Sequence, residues 1–328
     1  MKEMMFVAFI DAEIQTMGQR RQYGTAKRFL GARNSFVRYL SGRRKTDLPL
    51  QEITATLVCG YQEWLWSIGI CRNTSSCYLR TLCTAYNRAV ASELVTDICP
   101  FASVYRGVGK TRKRAISVES LRRFQRLDIR YQLVKAGHNP CRKTFPRVRE
   151  GLELARDLFF FSFCARGMAF VDMVFLRQED VRNGVLRYAR HKTGQRLEVK
   201  VEPMMQDIIQ RYTWGRSQDT YIFPILTSID EMEAYAQYTT ARRIYNRRLG
   251  ILSDMLGIHL SFYVSRHSWA TNAYQQQIPL SVISHGLGHH SERTTQIYLK
   301  SLDNSLVDQA NHDFLCQVLV ANEWDSGI

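Results

Sequence analysis

Two stretches of the 328-residue chain decide how the rest is interpreted: Ser261-Phe262-Tyr263-Val264-Ser265-Arg266-His267-Ser268-Trp269-Ala270-Thr271 and Leu287-Gly288-His289-His290-Ser291-Glu292-Arg293-Thr294-Thr295-Gln296-Ile297-Tyr298. The first contains the string R-H-S-x-A-T, and the second contains L-G-H followed by T-T-x-I-Y. Together they supply a guanidinium group, an imidazole and a phenol. A guanidinium group binds phosphate oxygens with paired donors, and a phenol oxygen can act as a nucleophile. The pattern therefore suits chemistry on a phosphate diester.

The charge of the chain predicts a polyanionic partner. Lys and Arg number 45 against 30 Asp and Glu, which gives a formal charge of +15 and a pI near 9.6. The basic residues cluster in three acid-poor regions, 20–46, 106–126 and 242–248. Such clusters favour contacts with nucleic-acid phosphates. An anionic membrane surface fits less well, because the basic helices lack a wide apolar face rich in Trp or Phe.

Several protein classes are excluded by composition. The apolar run Met4–Ile10 is much shorter than the roughly 20 residues of a membrane span, and no signal-peptide cleavage pattern follows it. The eight cysteines form no C-x-x-C pair and are expected to be buried, reduced thiols. No metal-ligand spacing occurs in the sequence, so we predict neither a metal nor a cofactor. Because no membrane span or signal peptide is found and the chain is basic, we expect a cytoplasmic, nucleoid-associated protein.

Hydrophobic periodicity predicts a mainly α fold with a small antiparallel β-sheet (α+β). Thr54 is expected to cap a helix that ends at Gly69. A long apolar helical region, Leu152–Leu176, is expected to break near Gly167. Period-two alternation on either side of Lys192-Thr193-Gly194-Gln195 predicts a β-hairpin.

Four segments are predicted along the chain. They are an N-terminal extension (1–19), a helical DNA-binding domain (20–105), a basic and flexible inter-domain linker (106–116), and a second domain with a C-terminal amphipathic helix (117–328).

The motifs and their order resemble the catalytic domain of the tyrosine recombinases, the phage-integrase family. The resemblance implies a helical core-binding domain followed by that catalytic domain. It assigns Tyr298 as the nucleophile that forms a 3′-phosphotyrosine, Arg266 as a phosphate-binding arginine and Lys192 as the acid that protonates the departing 5′ oxygen. His289 would donate a hydrogen bond to the phosphate. Because the phosphotyrosine bond conserves the energy of the broken linkage, the family needs neither ATP nor metal.

Two positions depart from the family pattern. Tyr263 occupies the position of the usual histidine in H-x-x-R. Ala169 falls where the first arginine belongs, while Asp172 matches the acid that supports the site. Arg166 lies three residues before Ala169, and residues three apart share a helix face. We therefore predict Arg166 as the displaced first arginine, with Arg190 on the hairpin as the alternative.

Nine further residues are predicted to contact DNA, in the linker and on a later basic helix. They are Arg106, Lys110, Arg112, Lys113, Arg114, Arg242, Arg243, Arg247 and Arg248.

The expected partners are duplex DNA with paired recombination sites, a homotetramer on that DNA, and an accessory DNA-bending or directionality protein. Inversion, resolution or excision is favoured, and integration of a small mobile element stays open. The C-terminal helix could close its own domain or dock on a neighbouring protomer. The alternatives in function are a catalytically silent DNA-binding regulator, supported by Tyr263 and Ala169, and a type IB topoisomerase.

Overall fold

The computed structural model describes residues 3–109, 114–217, 220–289 and 291–296. These residues form helices and one small antiparallel sheet, which confirms the predicted fold class. The chain divides into two units, Met1–Thr111 and Arg112–Ile328. Within the described ranges, no helix combines the length and the apolar character that a bilayer crossing requires.

The first unit contains four helices: α1 (Phe6–Gln19), α2 (Tyr23–Ser41), α3 (Ala55–Ser67) and α4 (Arg72–Ala91). Their apolar faces meet in one core, in which the rings of Phe36 and Tyr61 pack edge to face with centroids 5.3 Å apart. The predicted cap is confirmed, because the Thr54 hydroxyl accepts a hydrogen bond from the Leu57 amide at 3.3 Å.

Residues 1–19 were predicted to be an extension, and the structure corrects this. Helix α1 packs against α2 and α4, and Phe6, Ile10 and Met17 are buried in the core of the unit. The Asp47 carboxylate accepts hydrogen bonds from the first amides of α1, including Val7 N–H at 2.7 Å. The repeat of apolar residues along this helix is thus one stripe of the core.

The predicted linker 106–116 is attached to the first unit at its start. The Ser76 hydroxyl donates to the Gly107 carbonyl at 2.6 Å, and the Asn73 amide oxygen accepts from Gly109 N–H at 2.7 Å. A Cβ atom on Gly109 would lie 3.1 Å from that amide oxygen, so the glycine permits this close approach. The described start of the linker is therefore a docked segment instead of a flexible one.

The end of the linker is attached to the second unit. Ile116 N–H donates to the Ser268 hydroxyl at 3.0 Å, and its carbonyl accepts from the Asn272 side chain at 3.1 Å. Both polar side chains are buried, so these bonds fix the backbone just before the next helix.

The second unit consists of nine described helices and three strands. They are α5 (Val118–Gln125), α6 (Ile129–Lys135), α7 (Phe145–Cys164), α8 (Phe170–Val174), β1 (Val181–Arg182), β2 (Val185–Ala189), β3 (Arg196–Lys200), α9 (Pro203–Thr213), α10 (Glu231–Leu256), α11 (Phe262–Gln275), α12 (Leu280–Gly286) and α13 (Glu292–Gln296). Helix α7 contacts α6, α9, α10 and α11. Because it is surrounded, α7 is apolar on nearly all sides towards its end, as in the run Leu158–Phe161.

The sheet has the strand order β1-β2-β3, with antiparallel pairing throughout. The predicted hairpin is confirmed as β2–β3, in register Tyr188 opposite Leu197. Strand β1 was not predicted from the sequence. It is joined to β2 by Asn183-Gly184, both with positive φ (55° and 71°), which is the usual chemistry of a tight hairpin turn.

The predicted break near Gly167 is confirmed. Helix α7 ends at Cys164, and Arg166 and Gly167 both take left-handed backbone conformations (φ 57° and 72°) before α8 begins. The Ser162 hydroxyl donates to the Met168 carbonyl at 2.7 Å and lies 2.6 Å from the Ser265 hydroxyl. These buried bonds fasten the turn to α11.

The role of α1 in the core can be tested by mutation. Replacing Ile10 with Ala should lower the free energy of unfolding of the first unit by about 2–4 kcal/mol, because a buried side chain leaves a cavity. Gln15→Ala, on the exposed face of the same helix, should change it by less than about 0.5 kcal/mol. Urea denaturation measures both values. Equal, small effects of the two substitutions would show that α1 is only an extension.

Candidate active site

Arg266 is the buried cation around which the candidate site is arranged. It lies in the second turn of α11, whose first turn is capped by the Ser261 hydroxyl, and its residue exposure is 7%. Its guanidinium group donates to the carbonyl oxygens of Gly167 at 2.7 Å and Leu287 at 2.6 Å, and to Nε2 of His289 at 3.0 Å. These three acceptors are uncharged when the imidazole is neutral, so they orient the guanidinium group without cancelling its charge.

Gly167 lies directly against Arg266. A Cβ atom on Gly167 would lie 2.9 Å from both Cα and Cγ of Arg266, closer than real side chains approach. The left-handed backbone at this position also favours glycine. The turn between α7 and α8 therefore requires glycine for two separate reasons, and both serve the placement of Arg266.

Arg190 follows the last residue of β2 and reaches Gly288, next to the Leu287 carbonyl that Arg266 contacts. Its Nη1 donates to the Gly288 carbonyl, and its Nε lies 3.9 Å from the Asp172 carboxylate. The Asp172 side chain is buried and also accepts a hydrogen bond from His191 N–H at 2.8 Å. A Cβ atom on Gly288 would lie 3.0 Å from Cδ of Arg190, so the glycine of the L-G-H motif lets the hairpin approach the loop.

The side-chain stem of Arg166 lies near Gly286, the residue before Leu287. Its Cδ atom lies 3.4 Å from the position that a Cβ atom on Gly286 would take, and the residue is half-buried. Together with Arg266 and Arg190, it places three arginines against the consecutive residues 286–288. We call residues 286–289, which are the last residue of α12 and the three residues after it, the LGH loop.

His289 ends the LGH loop and is held by both ring nitrogens. Nε2 faces Arg266, and Nδ1 lies 2.9 Å from the Thr295 hydroxyl. Burial, followed by the positive charges of Arg266, Arg190 and Lys192, lowers the pKa of His289 to about 4. The imidazole is therefore neutral near pH 7, and its Nε2 lone pair accepts from the guanidinium group.

Tyr188 on β2 is a site residue that the sequence analysis does not single out. Burial, and then the charge of Asp172, raise the pKa of its phenol to about 12, although Arg266, Arg190 and Arg166 act in the opposite direction. The phenol therefore keeps its proton, and it lies within electrostatic range of three arginines. The alternation along the strand could have indicated Tyr188, because it lies two residues before Arg190 and therefore shares its face.

Comparison with known proteins places the chain in a family. The model of the phage integrase SAM-like domain matches residues 5–103, and the model of the phage integrase family matches residues 153–305. The chain belongs to the tyrosine recombinases. It is a site-specific recombinase of the phage integrase type, and its candidate site lies within the second match.

Solved structures share the recombinase fold at low sequence identity. A lambda integrase dimer bound to a COC' core site is 16% identical with a TM-score of 0.59, over 90% of this chain and 77% of that one. A lambda integrase tetramer bound to a Holliday junction is 15% identical with a TM-score of 0.59, over 100% and 81%.

The Tn1549 transposon integrase with a circular intermediate DNA is 12% identical with a TM-score of 0.62, over 94% of this chain and 99% of that one. Comparison with curated proteins gives no match.

The two remaining catalytic predictions within the described residues lie at the edge of the cluster. Lys192 is exposed in the turn between β2 and β3, close enough for its charge to lower the pKa of His289. Tyr263 is 55% exposed in the first turn of α11, and its ring meets that of His267 edge to face with centroids 4.4 Å apart. The position of the usual recombinase histidine is thus a solvent-accessible phenol packed on an imidazole.

Several predictions lie outside the described residues. These are the nucleophile Tyr298, the linker residues Lys110, Arg112 and Lys113, and the C-terminal helix of the recombinase.

The four arginines predicted on one basic helix all lie on α10, and they have two kinds of surroundings. The guanidinium groups of Arg242 and Arg248 lie over the rings of Tyr238 and Tyr245, at 5.9 Å and 4.7 Å. Arg243 and Arg247 are exposed and four residues apart, so they share one face.

The two predicted linker arginines within the described residues also have partners. Arg106 donates to the Cys83 sulfur at 3.1 Å, and Arg114 lies 3.2 Å from Nε2 of His259. Each contact lies within one unit and leaves the guanidinium charge in place.

The electrostatics of the site predict a pH dependence. In an NMR titration of ring ¹⁵N shifts, assigned with His289→Gln, His289 should titrate near pH 4, below the ordinary value of 6.5. Lys192→Gln should raise this midpoint, because it removes one of the repelling charges. A wild-type midpoint at or above 6.5 would contradict the arrangement.

The same shift predicts how His289 affects stability. Because the folded pKa lies below the unfolded value, the contribution of the neutral imidazole is complete above about pH 6.5 and is lost as the pH falls towards 4. The difference in free energy of unfolding between wild type and His289→Gln should shrink across that window.

Proposed function

We propose that this recombinase cuts and rejoins duplex DNA through a covalent 3′-phosphotyrosyl intermediate at Tyr298. The single observation that carries the proposal is the convergence of three arginines on the LGH loop beside His289. A partly buried cluster of guanidinium groups is costly unless it faces an anion, and a phosphodiester is the anion that this family processes.

The chemistry is an exchange of one phosphate ester for another. The phenol oxygen of Tyr298 attacks the phosphorus, and the bond from phosphorus to the 5′ oxygen breaks. Lys192 on the hairpin turn protonates the departing 5′ oxygen. Charge that develops on the non-bridging oxygens is stabilised by Arg266 and its neighbours, and the reverse reaction with a new 5′-hydroxyl rejoins the strand.

His289 has a defined part in this scheme. In the DNA-free arrangement it supports Arg266 as an acceptor. A bound phosphate brings negative charge, which raises the pKa of the neighbouring imidazole and favours its role as a donor to the phosphate oxygen. Tyr263 is proposed as a further hydrogen-bonding residue at the rim of the site.

Both candidates for the first arginine face the cluster, and the geometry favours Arg190. Its guanidinium group donates to Gly288, next to His289, and is held by the Asp172 carboxylate, whereas Arg166 approaches Gly286 through its side-chain stem. We propose Arg190 as the stronger candidate for the first arginine and keep Arg166 as the second.

DNA contacts are proposed for the basic residues. On α10, Arg243 and Arg247 form the exposed pair for a groove or backbone, and Arg242 and Arg248 flank it. In the linker we propose backbone contacts by Arg106, Lys110, Arg112, Lys113 and Arg114. The two units, 1–111 and 112–328, would then supply DNA binding and catalysis, in place of the predicted boundaries 20–105 and 117–328.

The assembly and the biological role are proposed by analogy. The lambda integrase tetramer bound to a Holliday junction supports a tetramer on two DNA sites, assisted by a DNA-bending or directionality protein. Strand exchange would serve inversion, resolution, excision or integration of a mobile element. A catalytically silent DNA-binding regulator is the alternative.

Formation of the covalent bond separates these two functions. On a duplex nicked next to the cleavage position, the wild-type protein should accumulate a protein–DNA adduct that denaturing gels detect, and Tyr298→Phe should form none while binding DNA normally. Wild-type binding without an adduct would identify a silent regulator. Relaxation of supercoiled DNA without site preference would identify a topoisomerase.

The first arginine can be assigned with the same substrate. Arg190→Ala should lower adduct formation by about 100-fold or more, the size typical of a lost donor to the transition state, with duplex binding retained. Arg166→Ala should cause a smaller loss. Undiminished cleavage by Arg190→Ala, or a greater loss in Arg166→Ala, would reverse the assignment.

A further inference from the structure

Thr295 is a buried hydroxyl that the catalytic assignments leave unused. It lies in α13 with an exposure of 0%, and its Oγ1 is 2.9 Å from Nδ1 of His289. The preceding residue, Thr294, is exposed. Two adjacent threonines therefore have different environments, and only one of them contacts the site.

The hydrogen-bond network fixes where the imidazole proton lies. Arginine has only N–H donors, so Nε2 of His289 must accept from Nη2 of Arg266 and carries no proton. The neutral ring then has its proton on Nδ1, which donates to the Thr295 hydroxyl. Because arginine can only donate, the directions of both hydrogen bonds are fixed: Arg266 donates to His289, and His289 donates to Thr295.

We propose that Thr295 is a positioning residue that holds His289 in the Nδ1–H tautomer and thereby keeps Nε2 as the third acceptor of Arg266. Without this acceptor for Nδ1–H, the half-buried ring would lose the bond that fixes its tautomer and its orientation, and Arg266 would lose a partner.

The proposal rests on the proposed function in one respect, since Thr295 lies three residues before the nucleophile Tyr298. The relay from Thr295 through His289 to Arg266 then connects the chain segment that leads to the nucleophile with the cation that binds the phosphate. Thr295 itself touches no reacting atom and acts only through His289.

The tautomer can be read directly in the DNA-free protein by ¹⁵N chemical shifts of the His289 ring. Wild type, Thr295→Ser and Thr294→Val should all show a protonated Nδ1 and an unprotonated Nε2. Thr295→Val, which keeps the shape but removes the hydroxyl, should shift the ring towards the Nε2–H tautomer. A wild-type ring with Nε2–H, or an unchanged tautomer in Thr295→Val, overturns the proposal.

Cleavage kinetics test the functional consequence. In single-turnover reactions on the nicked duplex, Thr295→Val should form adduct roughly five- to tenfold more slowly, the effect of one lost hydrogen bond. DNA affinity should be unchanged, Thr294→Val should react at the wild-type rate, and Thr295→Ser should retain most of it. Wild-type cleavage by Thr295→Val would overturn the positioning role even if the tautomer changed.

The two measurements separate the possible failures. The tautomer is measured without DNA and without covalent chemistry, so its result does not depend on Tyr298. An adduct that persists in Tyr298→Phe would remove the proposed function, whereas a wrong tautomer would remove only the role of Thr295.

Discussion

A guanidinium group can be buried only where its N–H donors find acceptors inside the protein. The second unit meets this requirement for Arg266 with the Gly167 carbonyl, the Leu287 carbonyl and the imidazole of His289. These acceptors come from the α7–α8 turn and from the LGH loop, so the cation joins two segments that are distant in sequence. Both segments supply acceptors to Arg266: the left-handed Gly167 between α7 and α8 offers its carbonyl, and so does Leu287 in the LGH loop.

The LGH loop collects positive charge instead of neutralising it. Arg166, Arg266 and Arg190 approach its consecutive residues, while the Asp172 carboxylate lies on the Arg190 side. The depressed pKa of His289 is a sign of the same field, since a second positive charge is disfavoured there. In the proposed reaction, this preorganised positive charge would stabilise the transition state without reorganising as charge develops on the phosphate oxygens.

Local sequence patterns predicted the elements that depend on neighbouring residues, such as the Thr54 cap, the break at Gly167 and the β2–β3 hairpin. Arg266 was placed by its motif. The packing of α1 into the core was not predicted, because its short apolar run by itself indicates only that it cannot span a membrane. Strand β1 is two residues long, too short for a periodicity, although Asn183-Gly184 carried a hairpin signal. The contact from Thr295 to His289 depends on a turn of the chain that no spacing encodes.

Family membership and the geometry of Arg266 together lead to one physical claim: the buried guanidinium group binds the phosphate that Tyr298 is proposed to attack. The most direct measurement is a crystal structure of the full chain on duplex DNA with vanadate in place of the scissile phosphate. We expect vanadium bonded to the Tyr298 oxygen and a non-bridging oxygen about 3 Å from the Arg266 guanidinium group, a normal hydrogen-bond distance. Vanadate held by other residues, with Arg266 still engaged only by the protein, would contradict it.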